Sequence, residues 1–219
     1  MKLQIAFDIP DLEKCLSIAK QVEPYADRFE VCSILLYKYG VEAIQQFRKN
    51  FPEKEILAET QIVERGKDIT NLCLDAGADW VTVMAGANKQ VVHNVCSAAG
   101  SKRKVMLDLS DTTLLGQACM DAQTLGVDGI LFHKPQEQDV QPVVTIDQWE
   151  IVRGNTKLPI YIAANFNKET IQRVILLKPD GIVISSTITQ HESPEQEAKY
   201  IYDLIHNPVK SDQNGPEST

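Results

Sequence analysis

Short apolar runs alternate with longer segments of helical periodicity along most of the chain. The short runs are typical of buried strands, whereas the segments between them place apolar residues three and four positions apart, as in helices that cover a sheet. The pattern predicts strands at residues 3–7, 28–32, 55–58, 80–84, 105–109, 129–132, 159–163 and 181–185. It predicts helices at residues 12–22, 41–48, 68–76, 89–99, 113–125, 168–177 and 194–206.

Gly, Pro or Asp residues separate several predicted helices from the next strand, at residues 76–79, 125–128 and 178–181. A Gly just past a helix end stops the helix by adopting the left-handed conformation, and a Pro cannot continue it. Eight strand–helix units of this length total about 200 residues, near the lower end for a closed parallel barrel. We therefore predict the α/β class and a single (β/α)8 TIM barrel over residues 1–206, with an open doubly wound sheet as the alternative. The polar tail at residues 207–219 is predicted to be disordered.

Charge and hydropathy exclude several classes of protein. The formal net charge is −8, and the only basic run, Lys102-Arg103-Lys104, is too short to neutralise a row of phosphates, which argues against a nucleic-acid partner. No apolar stretch approaches the ~20 residues needed to span a bilayer, so no membrane contact is expected. Because the chain begins directly with a predicted strand, the sequence predicts a cytoplasmic protein.

The cysteines are odd in number and lack CxxC spacing, which favours reduced buried thiols over disulfides or a zinc site. Cys32 lies beside a candidate site and is interpreted either as a reactive thiol or as a small core residue. The five positions are Cys15, Cys32, Cys73, Cys96 and Cys119.

Three polar residues, Glu59, Gln61 and Glu64, follow the apolar run at residues 56–58, where the third strand is expected to end. In a parallel α/β barrel, the carboxyl ends of the strands carry the catalytic groups. Residues 59 and 61 share a strand face by the two-residue period, so both side chains are expected to point into the barrel mouth. A solvated loop with ordinary polar residues is the alternative interpretation.

Several segments resemble one group of barrels. They are Met-Lys-Leu-Gln-Ile-Ala-Phe-Asp at residues 1–8, Phe-Glu-Val-Cys-Ser at 29–33, the stretch 71–83 with Ala-Gly-Ala-Asp-Trp-Val-Thr-Val at its end, 105–109, and Phe-His at 132–133. These segments resemble strands of the 3-hexulose-6-phosphate synthase and 3-keto-L-gulonate-6-phosphate decarboxylase group, in the orotidine-5′-monophosphate decarboxylase superfamily. The likeness covers nearly the whole chain except the tail.

The resemblance implies a metal site beside an altered catalytic motif. The third strand of the family ends in Asp-x-Lys-x-x-Asp, and the matching residues here are Glu59, Gln61 and Glu64. Relatives bind Mg²⁺ through the strand-two Glu and the first Asp, so the matching metal ligands are Glu30 and Glu59. Gln61 stands in place of the lysine, and a glutamine amide offers only neutral hydrogen bonds where an ammonium would stabilise negative charge.

The resemblance also implies a homodimer with shared active sites, in which Glu64 reaches the site of the partner; a solvent-facing acid near a helix start is the alternative. It places Asp108 near the substrate hydroxyls and gives His133 a role in proton transfer, although a lone His is often a packed structural residue. Asp8, at the end of the first strand, is a further candidate substrate-binding residue. It would complete an acidic ring whose other members are Glu30, Glu59, Glu64 and Asp108.

The phosphate end of the site differs from that of the relatives as well. Relatives bind phosphate at Gly-rich turns after the seventh and eighth strands, and the matching turns here read Ala-Ala-Asn-Phe at residues 163–166 and Ser-Ser-Thr-Ile at residues 185–188. Ordinary strand-to-helix turns with capping hydroxyls are the alternative. The candidate phosphate-binding residues are Ala164, Asn165, Ser185, Ser186 and Thr187.

The leading hypothesis is a Mg²⁺-assisted carbon–carbon lyase, an aldolase or decarboxylase, that acts on a phosphorylated pentulose or hexulose through an enediolate, as in 3-hexulose-6-phosphate synthase. One alternative is a catalytically impaired barrel that serves as a sugar-phosphate sensor or structural partner, and another is a barrel with a changed, non-phosphorylated substrate. The candidate catalytic residues are Glu59, Gln61, Glu64, Asp108 and His133.

Overall fold

The computed structural model describes residues 1–133, 145–164 and 166–206, and in these ranges strands and helices alternate as predicted. The strands are β1 (Lys2–Phe7), β2 (Arg28–Val31), β3 (Glu55–Ile62), β4 (Trp80–Met84), β5 (Lys104–Asp108), β6 (Gly129–His133), β7 (Ile160–Ala163) and β8 (Gly181–Ile184). The helices are α1 (Leu12–Val22), α2 (Ser33–Tyr39), α3 (Glu42–Asn50), α4 (Gly66–Asp75), α5 (Lys89–Ala99), α6 (Leu115–Leu125), α7 (Ile146–Gly154), α8 (Lys168–Leu176), α9 (Ser186–Thr189) and α10 (Pro194–His206).

All eight strands are parallel and close into one barrel in sequence order, with β8 paired to β1. This confirms the predicted (β/α)8 TIM barrel and excludes the open doubly wound sheet. The tail predicted to be disordered, residues 207–219, lies outside the described residues. Within the described ranges, every helix is too short or too polar to span a bilayer.

The end of β3 and three short helices differ from the prediction. The sequence pattern ended the third strand at Ala58, but β3 continues to Ile62 because extra residues form a bulge: Ala58 pairs with Val81, whereas Ile62 pairs with Val83. Gln61 takes a left-handed φ of 46° within that bulge. The helices that the periodicity did not predict are α2, α7 and α9.

The predicted helix stops are present, but they differ in their chemistry. Gly77 and Gly126 adopt positive φ of 107° and 87°, the left-handed conformation expected of a glycine after a helix. At the third junction it is Lys178, with φ of 54°, that takes the left-handed conformation, and Gly181 instead opens β8.

Four aspartates repeat one hydrogen-bond pair around the amino-terminal rim of the barrel. Each stands just before an even-numbered strand and bonds twice to one residue near the start of the preceding strand: its carboxylate accepts from that residue's N–H, and its own N–H donates to that residue's C=O. The pairing therefore satisfies strand-end groups and fixes the register within each pair of strands. The pairs are Asp27–Leu3, Asp79–Ile56, Asp128–Val105 and Asp180–Ile160, with N–H to carboxylate distances of 2.8–2.9 Å.

A buried arginine fills the floor of the barrel. Arg28 is 1% exposed, and its Nε and Nη2 donate to Glu55 Oε2 at 3.1 and 2.9 Å. Its guanidinium carbon lies 4.0 Å from the ring centroid of Trp80 and 4.8 Å from that of Tyr161. Gly181 leaves room for this stack, because a Cβ there would lie 2.4 Å from the Tyr161 ring.

The Arg28–Glu55 ion pair predicts a pH dependence of stability. Burial alone would raise the pKa of Glu55, but the charge and hydrogen bonds of Arg28 outweigh burial and lower that pKa below its usual 4.5. The ion pair therefore stabilises the fold fully above pH 4.5, and this contribution is lost as the pH falls through the lowered pKa. We expect Glu55→Gln to melt below wild type at neutral pH, and the difference in Tm to shrink in acid.

Thermal melts followed by circular dichroism across the acidic range measure this difference. Glu53→Gln, which removes an exposed carboxylate two residues away, is the matched control and should track wild type at every pH. A Tm difference for Glu55→Gln that stays constant through the acidic range would contradict the assignment.

Candidate active site

Two buried carboxylates lie at the carboxyl-terminal ends of neighbouring strands. Glu30 belongs to β2 and Glu59 to β3, and they are 3% and 8% exposed. A carboxylate oxygen of each and the Sγ of Cys32 all lie within 4.8 Å of one another. Among the described residues, these three form the group that could hold a metal ion.

Glu59 is held from two sides. The backbone N–H of Ser33, the first residue of α2, donates to Glu59 Oε2 at 2.8 Å. A carboxylate is favoured there because the N–H groups at a helix start carry partial positive charge. The side-chain amide of Gln61 approaches the other oxygen, with Nε2 3.5 Å from Oε1.

Glu30 is oriented by a glutamine from the neighbouring strand. The Nε2 of Gln4, in β1, donates a hydrogen bond to Glu30 Oε2. The second oxygen, Oε1, lies 3.8 Å from the thiol of Cys32. One oxygen of Glu30 is therefore anchored towards β1, and the other faces the side of the mouth where Cys32 lies.

Gln61 owes its position to the bulge in β3. Its backbone N–H donates to Thr82 Oγ1 at 2.9 Å, and the hydroxyl of Thr60 donates to the carbonyl of Thr82 at 2.8 Å. The bulge interrupts the two-residue period that was expected to align residues 59 and 61. Their side chains meet nevertheless, because the left-handed backbone at Gln61 turns its amide towards Glu59.

The other acidic residues predicted for the site differ in their burial and in their hydrogen-bond partners. Asp8 follows β1, and its Oδ1 is buried without a hydrogen-bond partner among the described residues. Asp108 ends β5, is fully buried, and accepts from the N–H of Ser110 at 2.8 Å. Glu64 is exposed in the turn between β3 and α4, so within this chain it does not join the buried carboxylates.

The predicted phosphate end lies in the loops after β7 and β8. Ser185 follows β8 with its Oγ buried and lacking a hydrogen-bond partner among the described residues, and Ser186 begins the short helix α9. The hydroxyl of Thr187 donates to the carbonyl of Phe166 at 2.7 Å, which ties the two loops together. Ala164 is half-buried in a bend after β7.

The side chains of two predicted site residues lie outside the described residues, and two residues that contact the site were not predicted. The side chain of His133, the last residue of β6, and the whole of Asn165 lie outside the described residues. Gln4 and Thr82 contact the site but were not predicted to do so, whereas Cys32 was expected beside it. A buried polar residue within a largely apolar strand, as at Gln4 and Thr82, is the signal in the sequence that could have revealed contacts of this kind.

The protein is thus a closed (β/α)8 barrel with acidic side chains at the carboxyl-terminal mouth. The family model described as Orotidine 5'-phosphate decarboxylase / HUMPS family matches residues 1–201. The chain therefore belongs to this family, which confirms the resemblance drawn from the sequence.

Similar proteins extend over almost the whole chain. The 3-hexulose-6-phosphate synthase of Bacillus subtilis is 24% identical over 94% of this chain and 99% of that protein. The crystal structure of 3-hexulose-6-phosphate synthase from Salmonella typhimurium is 28% identical, covers 94% of this chain and 99% of its own, and has a TM-score of 0.88. A crystal structure of KGPDC from Streptococcus mutans, 18% identical over 94% of this chain and 97% of its own with a TM-score of 0.82, shares the fold.

The environment of Cys32 predicts an inert thiol. Burial, followed by the nearby carboxylates of Glu30, Glu59 and Asp8, raises the pKa of the thiol well above its usual range, and the thiolate is the nucleophilic form. We expect iodoacetamide at mildly alkaline pH to leave Cys32 unmodified in the folded protein. The half-buried Cys96, whose pKa burial raises to about 11, should react sooner.

Peptide mass spectrometry of the alkylated protein measures both sites, and protein unfolded in urea serves as the control in which all cysteines react. Modification of folded Cys32 at the rate seen in urea would show that the thiol is reactive and would contradict the assignment as a core residue.

Proposed function

We propose that this chain is a carbon–carbon lyase that acts on a phosphorylated sugar, with the 3-hexulose-6-phosphate synthase reaction as the leading candidate. The named relatives from Bacillus subtilis and Salmonella typhimurium support this class over nearly the full length. The observation that carries the proposal is the convergence of Glu30 and Glu59, two buried carboxylates, at the mouth of the barrel. Catalytic groups of such barrels lie at this end.

The donor set at the mouth fits a divalent cation. Carboxylate oxygens are the hard ligands that Mg²⁺ prefers, and Mg²⁺ keeps several waters, so two protein carboxylates suffice. Glu30 and Glu59 would hold the ion, with the softer Cys32 thiol beside them. When bound, Mg²⁺ would act as a Lewis acid on a carbonyl oxygen of the sugar.

The side chains around these carboxylates would orient the sugar. Gln61 would donate an amide hydrogen bond at the mouth, but a neutral amide does not serve as a general acid or base at neutral pH. Asp108, fully buried at the end of β5, would accept from a substrate hydroxyl. His133 as the proton donor stays a prediction from the family resemblance.

The phosphate group would bind at the loops after β7 and β8. In barrels of this kind these loops and the start of a short extra helix commonly form the phosphate site, and α9 occupies that place here. The buried hydroxyl of Ser185, the N–H groups at Ser186 and Thr187, and the bend at Ala164 would provide the donors and the room. Asn165 is included from the sequence alone.

The proposal includes a homodimer, as the resemblance implies. Apolar side chains are exposed on α2, in the turn after β3 and on α4, where Tyr37 is 85%, Val63 58% and Leu72 59% exposed. Glu64 lies beside Val63 and would reach the site of the partner if these surfaces pair.

An activity assay tests the lyase directly. Purified protein with ribulose 5-phosphate, formaldehyde and Mg²⁺ should form a hexulose phosphate slowly, because Gln61 supplies no charge. Gln61→Lys should raise the rate by about 10²–10³-fold, the usual effect of one preorganised electrostatic donor.

Gln61→Met is the matched control, since it has similar length and no donor, and it should be no faster than wild type. Glu59→Gln should abolish the gain of Gln61→Lys when the two changes are combined. Absence of product from both wild type and Gln61→Lys, with Mg²⁺ present, would contradict the proposed reaction.

A sugar-phosphate-binding barrel without catalysis is the second candidate, and the amide of Gln61 at the lysine position favours it. Calorimetric titration with ribulose 5-phosphate, with and without Mg²⁺, separates the candidates. We expect binding that requires Mg²⁺, because the carboxylates at the mouth otherwise repel one another.

Magnesium-dependent binding by a wild type that shows no turnover would favour the binding barrel. Equal affinity for ribulose and ribulose 5-phosphate would show that the loops after β7 and β8 bind no phosphate and would favour a non-phosphorylated substrate. No binding in either condition would contradict both sugar-phosphate candidates.

A further inference from the structure

Arg28 is a buried cation that the proposed reaction does not use. It lies on the barrel floor, two residues before Glu30 on β2, and it pairs in the sheet with Gln4 of β1 and Glu55 of β3. Its pair with Glu55 uses Nε and Nη2. The Nη1 group donates instead to Gln4, which bonds in turn to Glu30 at the mouth.

Gln4 joins Arg28 to the candidate metal ligand. Arg28 Nη1 donates to Gln4 Oε1 at 3.0 Å, and Gln4 Nε2 donates to Glu30 Oε2. A guanidinium carries donors and no acceptor, so the amide oxygen must face Arg28 and the amide nitrogen must face Glu30. The orientation of Gln4 is thus dictated by the arginine.

The arginine is itself held rigidly. Glu55 accepts two of its N–H groups through one oxygen, and the rings of Trp80 and Tyr161 fix the plane of the guanidinium. A fixed Arg28 fixes Gln4, and a fixed Gln4 holds one oxygen of Glu30. The other oxygen then faces the thiol of Cys32, within the group that could hold a metal.

We propose that Arg28 is a positioning residue for the metal site, acting through Gln4 on the carboxylate of Glu30. This inference rests on the proposed function, in which Glu30 and Glu59 hold Mg²⁺. Partners that orient a metal ligand from behind typically contribute about 10- to 100-fold to metal affinity.

Calorimetric titration of the full-length protein with MgCl₂ tests the inference. Arg28→Met and Gln4→Met should each weaken the Kd for Mg²⁺ by about 10- to 100-fold. Because both act along one path, the double variant should match Gln4→Met within about twofold, and should not show the product of the two effects. Gln4→Met keeps the Arg28–Glu55 pair and so supplies the test even where Arg28→Met fails to fold.

Lys2→Met is the matched control for charge. Lys2 Nζ lies 3.8 Å from Glu55 Oε2, so this variant removes a positive charge that lies beside the same carboxylate. It leaves the hydrogen bond between Arg28 and Gln4 intact. Its Kd for Mg²⁺ should equal that of wild type. Thermal melts of every variant record stability separately from affinity.

The outcomes separate the inference from the function on which it rests. A lower Tm for Arg28→Met with an unchanged Kd in both Arg28→Met and Gln4→Met would show a purely structural role and overturn the inference alone. A wild type that binds no Mg²⁺ would overturn the proposed metal site. Crystal structures of wild type and Arg28→Met then decide the positioning: a turned Gln4 amide and a displaced Glu30 carboxylate support it, and unmoved side chains overturn it.

Discussion

The guanidinium of Arg28 is the constraint around which the barrel interior is arranged. A charge removed from water must be matched by partners that replace its hydration, and the floor supplies a carboxylate, an amide oxygen and two aromatic faces. Each partner imposes a further constraint. The Tyr161 ring fits only because residue 181 is a glycine without a side chain, and Gln4 must direct its amide nitrogen towards Glu30. Hydrogen bonds therefore connect the side chains on the floor of this barrel to a carboxylate at its mouth.

The order of strands and helices follows from the hydropathy pattern, and it was the part of the structure that could be predicted from the sequence. Strands buried on both faces are apolar throughout and helices are apolar on one face, so hydropathy locates both. The aspartates before β4, β6 and β8 were recognised in the sequence as residues that separate a helix from the next strand. Their paired hydrogen bonds to the preceding strands are tertiary contacts and could not be predicted. Helices α2 and α9 escaped prediction because they are short and begin almost directly at strand ends.

The site was predictable in position and less so in detail. Because parallel strands end at one rim, the polar residues after the third apolar run were expected at the mouth of the barrel, and the family resemblance paired Glu59 there with Glu30. The bulge in β3 could not be predicted, since it depends on a side-chain hydroxyl of β4. Gln4 was treated as a strand residue because its contact with Glu30 depends on which face of the closed barrel it occupies.

The bulge bears on how the altered motif is understood. Residue 61 is held through its backbone N–H to Thr82, a contact that does not depend on the identity of its own side chain. A lysine there would start from the same backbone position and extend towards the same carboxylate that the Gln61 amide now approaches. A glutamine at the position where the resemblance expects a lysine would therefore alter the charge at the mouth but not the backbone contact to Thr82. Because Glu59 is also held by the N–H of Ser33, loss of a neighbouring ammonium does not release it. Under the proposed function, Glu59 would therefore keep its place beside a bound sugar phosphate whatever the rate of the reaction.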